Sequence, residues 1–170
     1  SVALAAQTPV PEWQAGVDKV KSLIKTNPGQ ASETAGELLK GKNKKNVPLI
    51  VAVARAYLDA GEPAEAEHYL EMARETDNKD ADVSVLEGDI ALAGKDVGRA
   101  CQLYEQAIYF NPHCREAYLK YAQAYKSASP SQAIDKLQQL KSVIPDCPEA
   151  DRGLAEVYYA TNRFGEATET

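Results

Sequence analysis

The sequence predicts an all-α fold, an α-solenoid of stacked helix pairs, and three observations carry that expectation. Small residues recur at a fixed step, each period holds two apolar stripes of helical spacing, and Pro and Asn punctuate the joints. The step is read from Ala66, Ala100, Ala133 and Ala167, which lie 34, 33 and 34 residues apart. Ala54, Gly88, Ala122 and Ala155 keep the same interval to within one residue, as do Tyr57, Ala91, Tyr125 and Tyr158. Self-similarity at a step in the range of about 20–50 residues marks a repeat array, in which each unit buries its apolar face only against its neighbours.

Each period reads as two helices. In VPLIVAVARAYLDAG, Ile50, Val53, Ala54 and Tyr57 fall at i, i+3, i+4 and i+7, one face of a helix. After Gly61-Glu62-Pro63, the residues Ala66, Tyr69, Leu70 and Ala73 repeat that spacing. Tyr118, Tyr121, Ala122 and Tyr125 do the same, followed by Ala133, Leu137 and Leu140. Pro63 and Pro130 stand where second helices start, and there the missing N–H costs nothing. Ser129 is expected to cap the helix that Pro130 opens. Ala or Gly at the crossings lets helix axes approach to about 8–10 Å. Upstream, Trp13, Val17, Val20 and Ile24 form one stripe and Ala31, Ala35, Leu38 and Leu39 another, with Asn27-Pro28 between them.

The paired small residues, the Tyr one turn beyond and the closing Pro resemble the tetratricopeptide repeat family. The resemblance implies a right-handed superhelix with units at 47–80, 81–113 and 114–147 and an incomplete one at 148–170. Residues 12–46 then form a degenerate capping pair, and 1–11 a flexible N-terminus. Three departures stand out: Glu87 at an expected apolar position, the reversed order Gly94-Lys95 at a turn, and a third unit one residue short at Ser127–Pro130. The last helix opens near Phe164, so Leu154, Ala155 and Tyr158 lack most of a covering partner. The chain is therefore expected to be an N-terminal fragment of a longer protein, its end open to further repeats, another domain or self-association with a second copy.

Composition narrows the function classes. The 170 residues are 44% hydrophobic and 26% charged with a net charge of −6, the make-up of a folded chain. No apolar run is long enough for a membrane-spanning segment. The acidic balance argues against general nucleic-acid binding, which needs clustered cations. The one basic cluster, Lys40, Lys42, Lys44 and Lys45, sits among Gly and Asn and reads as a solvated loop. Ala3-Leu4-Ala5, followed by Gln7-Thr8-Pro9, fits the tail of a cleaved signal peptide and suggests a periplasmic or exported location.

Chemistry is sought first at NPHC, residues 111–114, where one of two histidines stands beside one of three cysteines. The joint recurs one unit later as IPDC, with His113 replaced by Asp146. A helix joint has reason to recur at the repeat period and a catalytic pair has none. Cys114 and Cys147 occupy equivalent places, about 10 Å apart by helix packing, whereas a disulfide needs Cα atoms within about 7 Å. Both are expected to be reduced, and Cys101 to be a small packing residue. His113 with two such cysteines lacks a fourth metal ligand. Gly36–Asn43 superficially matches a phosphate loop, but Asn43 replaces the magnesium-binding Ser or Thr and a helix precedes it. His68 has no second His at metalloprotease spacing. No cofactor, metal or catalytic residue is expected.

Family resemblance implies that the first helix of each unit lines a concave face that binds a peptide or a partner protein. The helical register places Val51, Arg55 and Leu58 there, then Val85, Asp89 and Leu92, then Leu119, Gln123 and Lys126, and finally Arg152, Glu156 and Tyr159. Apolar side chains of a partner are expected against Val51, Leu58, Val85, Leu92 and Leu119, and its acidic groups at Arg55, Lys126 and Arg152. A purely architectural module, and the non-catalytic part of an enzyme, are the alternatives.

Overall fold

The computed structural model describes residues 10–161. The Ala3-Leu4-Ala5 stretch and the helix expected from Phe164 lie outside them. Nine α-helices and no strand occur among the described residues: α1 (Gln14–Ile24), α2 (Pro28–Leu38), α3 (Val47–Asp59), α4 (Pro63–Thr76), α5 (Ala81–Ala93), α6 (Val97–Phe110), α7 (Arg115–Tyr125), α8 (Pro130–Val143) and α9 (Pro148–Ala160). Pro stands in the first turn of α2, α3, α4, α8 and α9, where its fixed φ is already helical. Lys40, Lys42, Lys44 and Lys45 are all exposed around a short 3₁₀ turn at Gly41–Asn43.

The helices pack as successive antiparallel pairs. Each of α3, α5 and α7 also touches the next first helix, while the second helices α4, α6 and α8 lie on their own partner and the first helix that follows. The array is thus tighter along α3, α5, α7 and α9, which form its inner side. Two apolar cores run through it. Val17, Ile50, Val53, Tyr57 and Leu70 belong to the first, and Tyr104, Tyr118, Leu137 and Leu154 to the second. Helix α5 is the seam: Val83 and Leu86 enter the first core, Ala81 and Val85 the second. A helix apolar on every side needs such a double burial.

The departures from the repeat pattern have local explanations. In the first unit the turn after α3 is a Schellman closure: Glu62 N–H donates to Tyr57 O at 2.9 Å and Gly61 N–H to Leu58 O at 2.9 Å, with Gly61 at φ +79°. In the second, Asp96 N–H donates to Ala91 O at 3.0 Å and Lys95 N–H to Leu92 O at 2.9 Å. Lys95, not Gly94, takes the left-handed place, at φ +65°. The third unit shortens its first helix and turns over Lys126–Ser129 with no left-handed residue. Glu87 is half-buried and meets Arg99, whose Nη2 lies 3.2 Å from its Oε1.

Ser129 corrects one expectation. It holds the N-cap position of α8, but its side chain caps nothing. Asn27, Asn46, Asp80 and Asp96 do the capping at α2, α3, α5 and α6, each accepting backbone N–H groups of the first turn. The NPHC stretch is a joint. Asn111 Oδ1 accepts His113 N–H at 3.0 Å, Asn111 O accepts Cys114 N–H at 2.9 Å, and Tyr118 O–H donates to Pro112 O at 3.1 Å. His113 points to solvent, while Cys101, Cys114 and Cys147 are buried and unbridged.

Candidate functional site

The inner side is not one continuous trough. Val51 and Val85, expected on it, are buried in the first and second cores at 5% and 0% exposure. Neighbouring first helices flank α3 and α5 closely enough to cover these positions. Leu58 and Leu92 are half-buried against the same cores.

Arg55 and Asp89 are engaged within the protein. The Arg55 guanidinium is bonded and ion-paired to Glu116 of α7. Burial by itself pulls Arg55 down, but the hydrogen bond and charge of Glu116, with Asp89 and Asp82 nearby, more than offset it and raise the group above its ordinary value. Asp89 Oδ1 accepts the Tyr104 hydroxyl at 2.8 Å and lies 3.0 Å from Lys120 Nζ. Burial and the Asp89 charge push Tyr104 far up. Arg55 is therefore not the open acceptor for a partner's acidic group that its register suggests.

Open space remains between α7 and α9. A groove of about 340 Å³ is lined by Leu119 and Gln123 from α7, by Lys126 at its C-cap and by Arg152, Glu156 and Val157 from α9, with Ala122 and Leu137 at its floor. Five of the twelve expected residues meet there. Glu116, Lys120, Glu149 and Gly153 complete the lining. The register one turn towards each helix N-terminus, three residues before Leu119 and Arg152, would have found Glu116 and Glu149. Gly153 is a spacing device: a Cβ at that position would sit 3.1 Å from Leu137 Cδ1 and 3.2 Å from Cδ2. Tyr159 is 70% exposed on the last turn of α9, outside the groove lining.

The rim alternates in sign. Lys126 Nζ lies 3.6 Å from Glu156 Oε2, and Arg115 Nη1 lies 3.4 Å from Glu149 Oε1. A backbone hydrogen bond, outweighing slight burial, and the Arg115 charge hold the Glu149 carboxyl below its usual value. Arg152 makes no ion pair among the described residues. Exposed pairs of this kind contribute about 0–1 kcal/mol, so incoming charges can replace them at small cost. The groove thus offers an apolar floor, a cation, Arg152, with no ion pair among the described residues, and exchangeable rim charges. Among the described residues no group of three or more His, Cys, Asp or Glu side chains could hold a metal ion. None of the helices described is long and apolar enough to cross a membrane.

Repeated helix pairs, stacked through small residues around an inner layer of first helices, define a helical-repeat solenoid. Residues 52–113 match the model of the tetratricopeptide repeat. That segment, from α3 to the joint after α6, is the part of the chain that carries the family signature. No curated protein matches it. Similar solved structures include MamA, 22% identical, with 90% of this chain and 88% of that one aligned at a TM-score of 0.66. Another is pilF of Pseudomonas aeruginosa, 17% identical over 92% of this chain and 72% of that one, TM-score 0.68. A thermophilic TPR protein of Thermus thermophilus is 18% identical over 91% and 85%, TM-score 0.68. At these identities the likeness is one of fold.

Proposed function

We propose that the protein is a non-catalytic interaction scaffold that holds a peptide or a segment of a partner protein in the groove between α7 and α9. The groove itself carries the reading: an apolar floor of Leu119, Ala122, Leu137 and Val157 under a polar rim whose Arg152 makes no ion pair among the described residues. Leu119 and Val157 take an apolar side chain of the partner, Arg152 an acidic one, and Gln123 a backbone or side-chain amide. Its volume of about 340 Å³ suits a few side chains rather than a whole domain. A location in the bacterial envelope is part of the proposal and rests on Ala3-Leu4-Ala5 alone.

The test is site-specific photo-crosslinking in cells, with the reactive side chain at Gln123 in the groove or at the exposed Gln106 of α6. Adducts are expected from position 123 and not from 106, and Leu119→Asp with Arg152→Glu is expected to abolish them. The same adducts from both positions, or persistence in the double variant, would overturn the groove. Fractionation of the same cells reads the location.

A further inference from the structure

We infer that the Arg55–Glu116 pair is a strap joining the first repeat unit directly to the third, so that the α3–α8 segment opens as one block and not repeat by repeat. In a solenoid each unit touches only its neighbours, and stability is a sum of units and adjacent interfaces. Arg55 and Glu116 are 61 residues apart and stand on α3 and α7, with α5 between them. Their side chains are 27% and 42% exposed, so the pair is partly withdrawn from water.

The strap is anchored from below. Lys120 Nζ lies 3.6 Å from Glu116 Oε1 and 3.0 Å from Asp89 Oδ1, and Asp89 Oδ1 accepts the Tyr104 hydroxyl at 2.8 Å. Helices α3, α5, α6 and α7 therefore share one network. Removing a single member of a partly desolvated network leaves its partner's charge uncompensated, so loss at α7 is felt at α3. The remaining inter-helix pairs of α7 and its C-cap, Lys120 with Asp89, Arg115 with Glu149 and Lys126 with Glu156, join only adjacent units. Glu116 also lines the α7–α9 groove. A basic group of a partner that captures Glu116 thereby releases Arg55 and loosens α3; this consequence, unlike the strap itself, rests on the groove being the docking site.

Amide hydrogen exchange on the whole chain tests the strap without any partner, so its outcome is separate from that of the crosslinking. Glu116→Gln is expected to speed exchange in α3 about tenfold, the scale of a lost charge-assisted hydrogen bond. Arg55→Met, which keeps the aliphatic stem, is expected to do the same in α7, and the double variant to go no further than either. Glu149→Gln should leave α3 unchanged. Glu116→Asp, one methylene shorter, gives an intermediate effect and serves if the Gln variant loses its helical circular dichroism. Unchanged α3 exchange in a folded Glu116 variant, or additive effects in the double variant, would overturn the strap.

Discussion

A Cβ on residue 88 would lie 2.5 Å from Cε1 of Tyr104, inside the ring's contact distance. Gly88 therefore exists for Tyr104. The counterparts one period away are Ala54 with Leu70 and Ala122 with Leu137, so the smallest residue meets the largest one and alanine goes with leucine. Gly88→Ala is expected to destabilise the fold by about 1–3 kcal/mol through overpacking, against a helix-propensity gain of at most about 1 kcal/mol. Adding Tyr104→Leu to Gly88→Ala should recover part of the loss. Urea unfolding of the two variants reads this directly, and an equally stable Gly88→Ala protein would contradict the packing.

Lys95 carries a backbone strain that Gly61 avoids. Both close a Schellman turn, at φ +65° and +79°, but a side chain in the left-handed region costs about 1–2 kcal/mol. Lys95→Gly is expected to stabilise by about 1 kcal/mol and to raise the midpoint of urea unfolding. Gly94→Ala should be mild, since residue 94 has an ordinary φ of −76°. Combining Gly94→Ala with Lys95→Gly reproduces the Ala60-Gly61 turn of the first unit. A midpoint that falls or stays level in Lys95→Gly would mean that the side chain earns its place through contacts of its own.

Much of this fold is legible because the repeat step encodes it. Ala54, Ala66 and Ala73 are fully buried where helical spacing puts them, and Pro63 and Pro130 open the helices their missing N–H favours. The inner face is legible only in part. Helical register says that Val51, Arg55 and Leu58 share a side of α3, but not that a neighbouring helix covers Val51. Nor does local spacing reveal that Arg55 is paired with a residue 61 positions away. On α7 and α9 the register does bring Leu119, Gln123, Lys126, Arg152 and Glu156 to one groove, because the helices leave a gap there. Ser129 shows the limit of residue-type reasoning: a good capping side chain caps only if the preceding turn aims it at the first N–H groups.

That last contrast gives a stability prediction. Asp96 Oδ1 accepts Arg99 N–H at 3.0 Å, whereas Ser129 makes no cap bond. Asp96→Ala is expected to cost about 1 kcal/mol, and Ser129→Ala almost nothing. Paired thermal melts of the two variants distinguish them, and equal losses would mean that Ser129 does cap α8 in solution.

Buried thiols and phenols set the alkaline limit. Burial, aided by the charge of Glu105, pushes the Cys101 thiol up to about 11. Burial and Tyr69 push Tyr57 to about 12, and burial with Glu105 pushes Tyr121 to about 12. Burial, partly offset by a bond from the Ala117 backbone, also raises Cys114. Each of these groups is neutral in the folded protein and ionises at lower pH once unfolded. Between the two values the unfolded chain binds fewer protons than the native one, so stability falls as pH rises. The decline should begin near pH ~9, where an unfolded thiol starts to ionise. Its slope is about 1 kcal/mol per pH unit for each fully engaged group. Cys101→Ala should flatten the curve between about pH 9 and pH 11 and leave stability at pH 7 dependent only on the lost packing. The same burial predicts that Cys101 and Cys114 resist iodoacetamide at about pH 8 in the native protein and react only after unfolding in urea. Rapid native labelling of either thiol, or a melting temperature that holds steady from about pH 9 to pH 11, would contradict the burial on which both expectations stand.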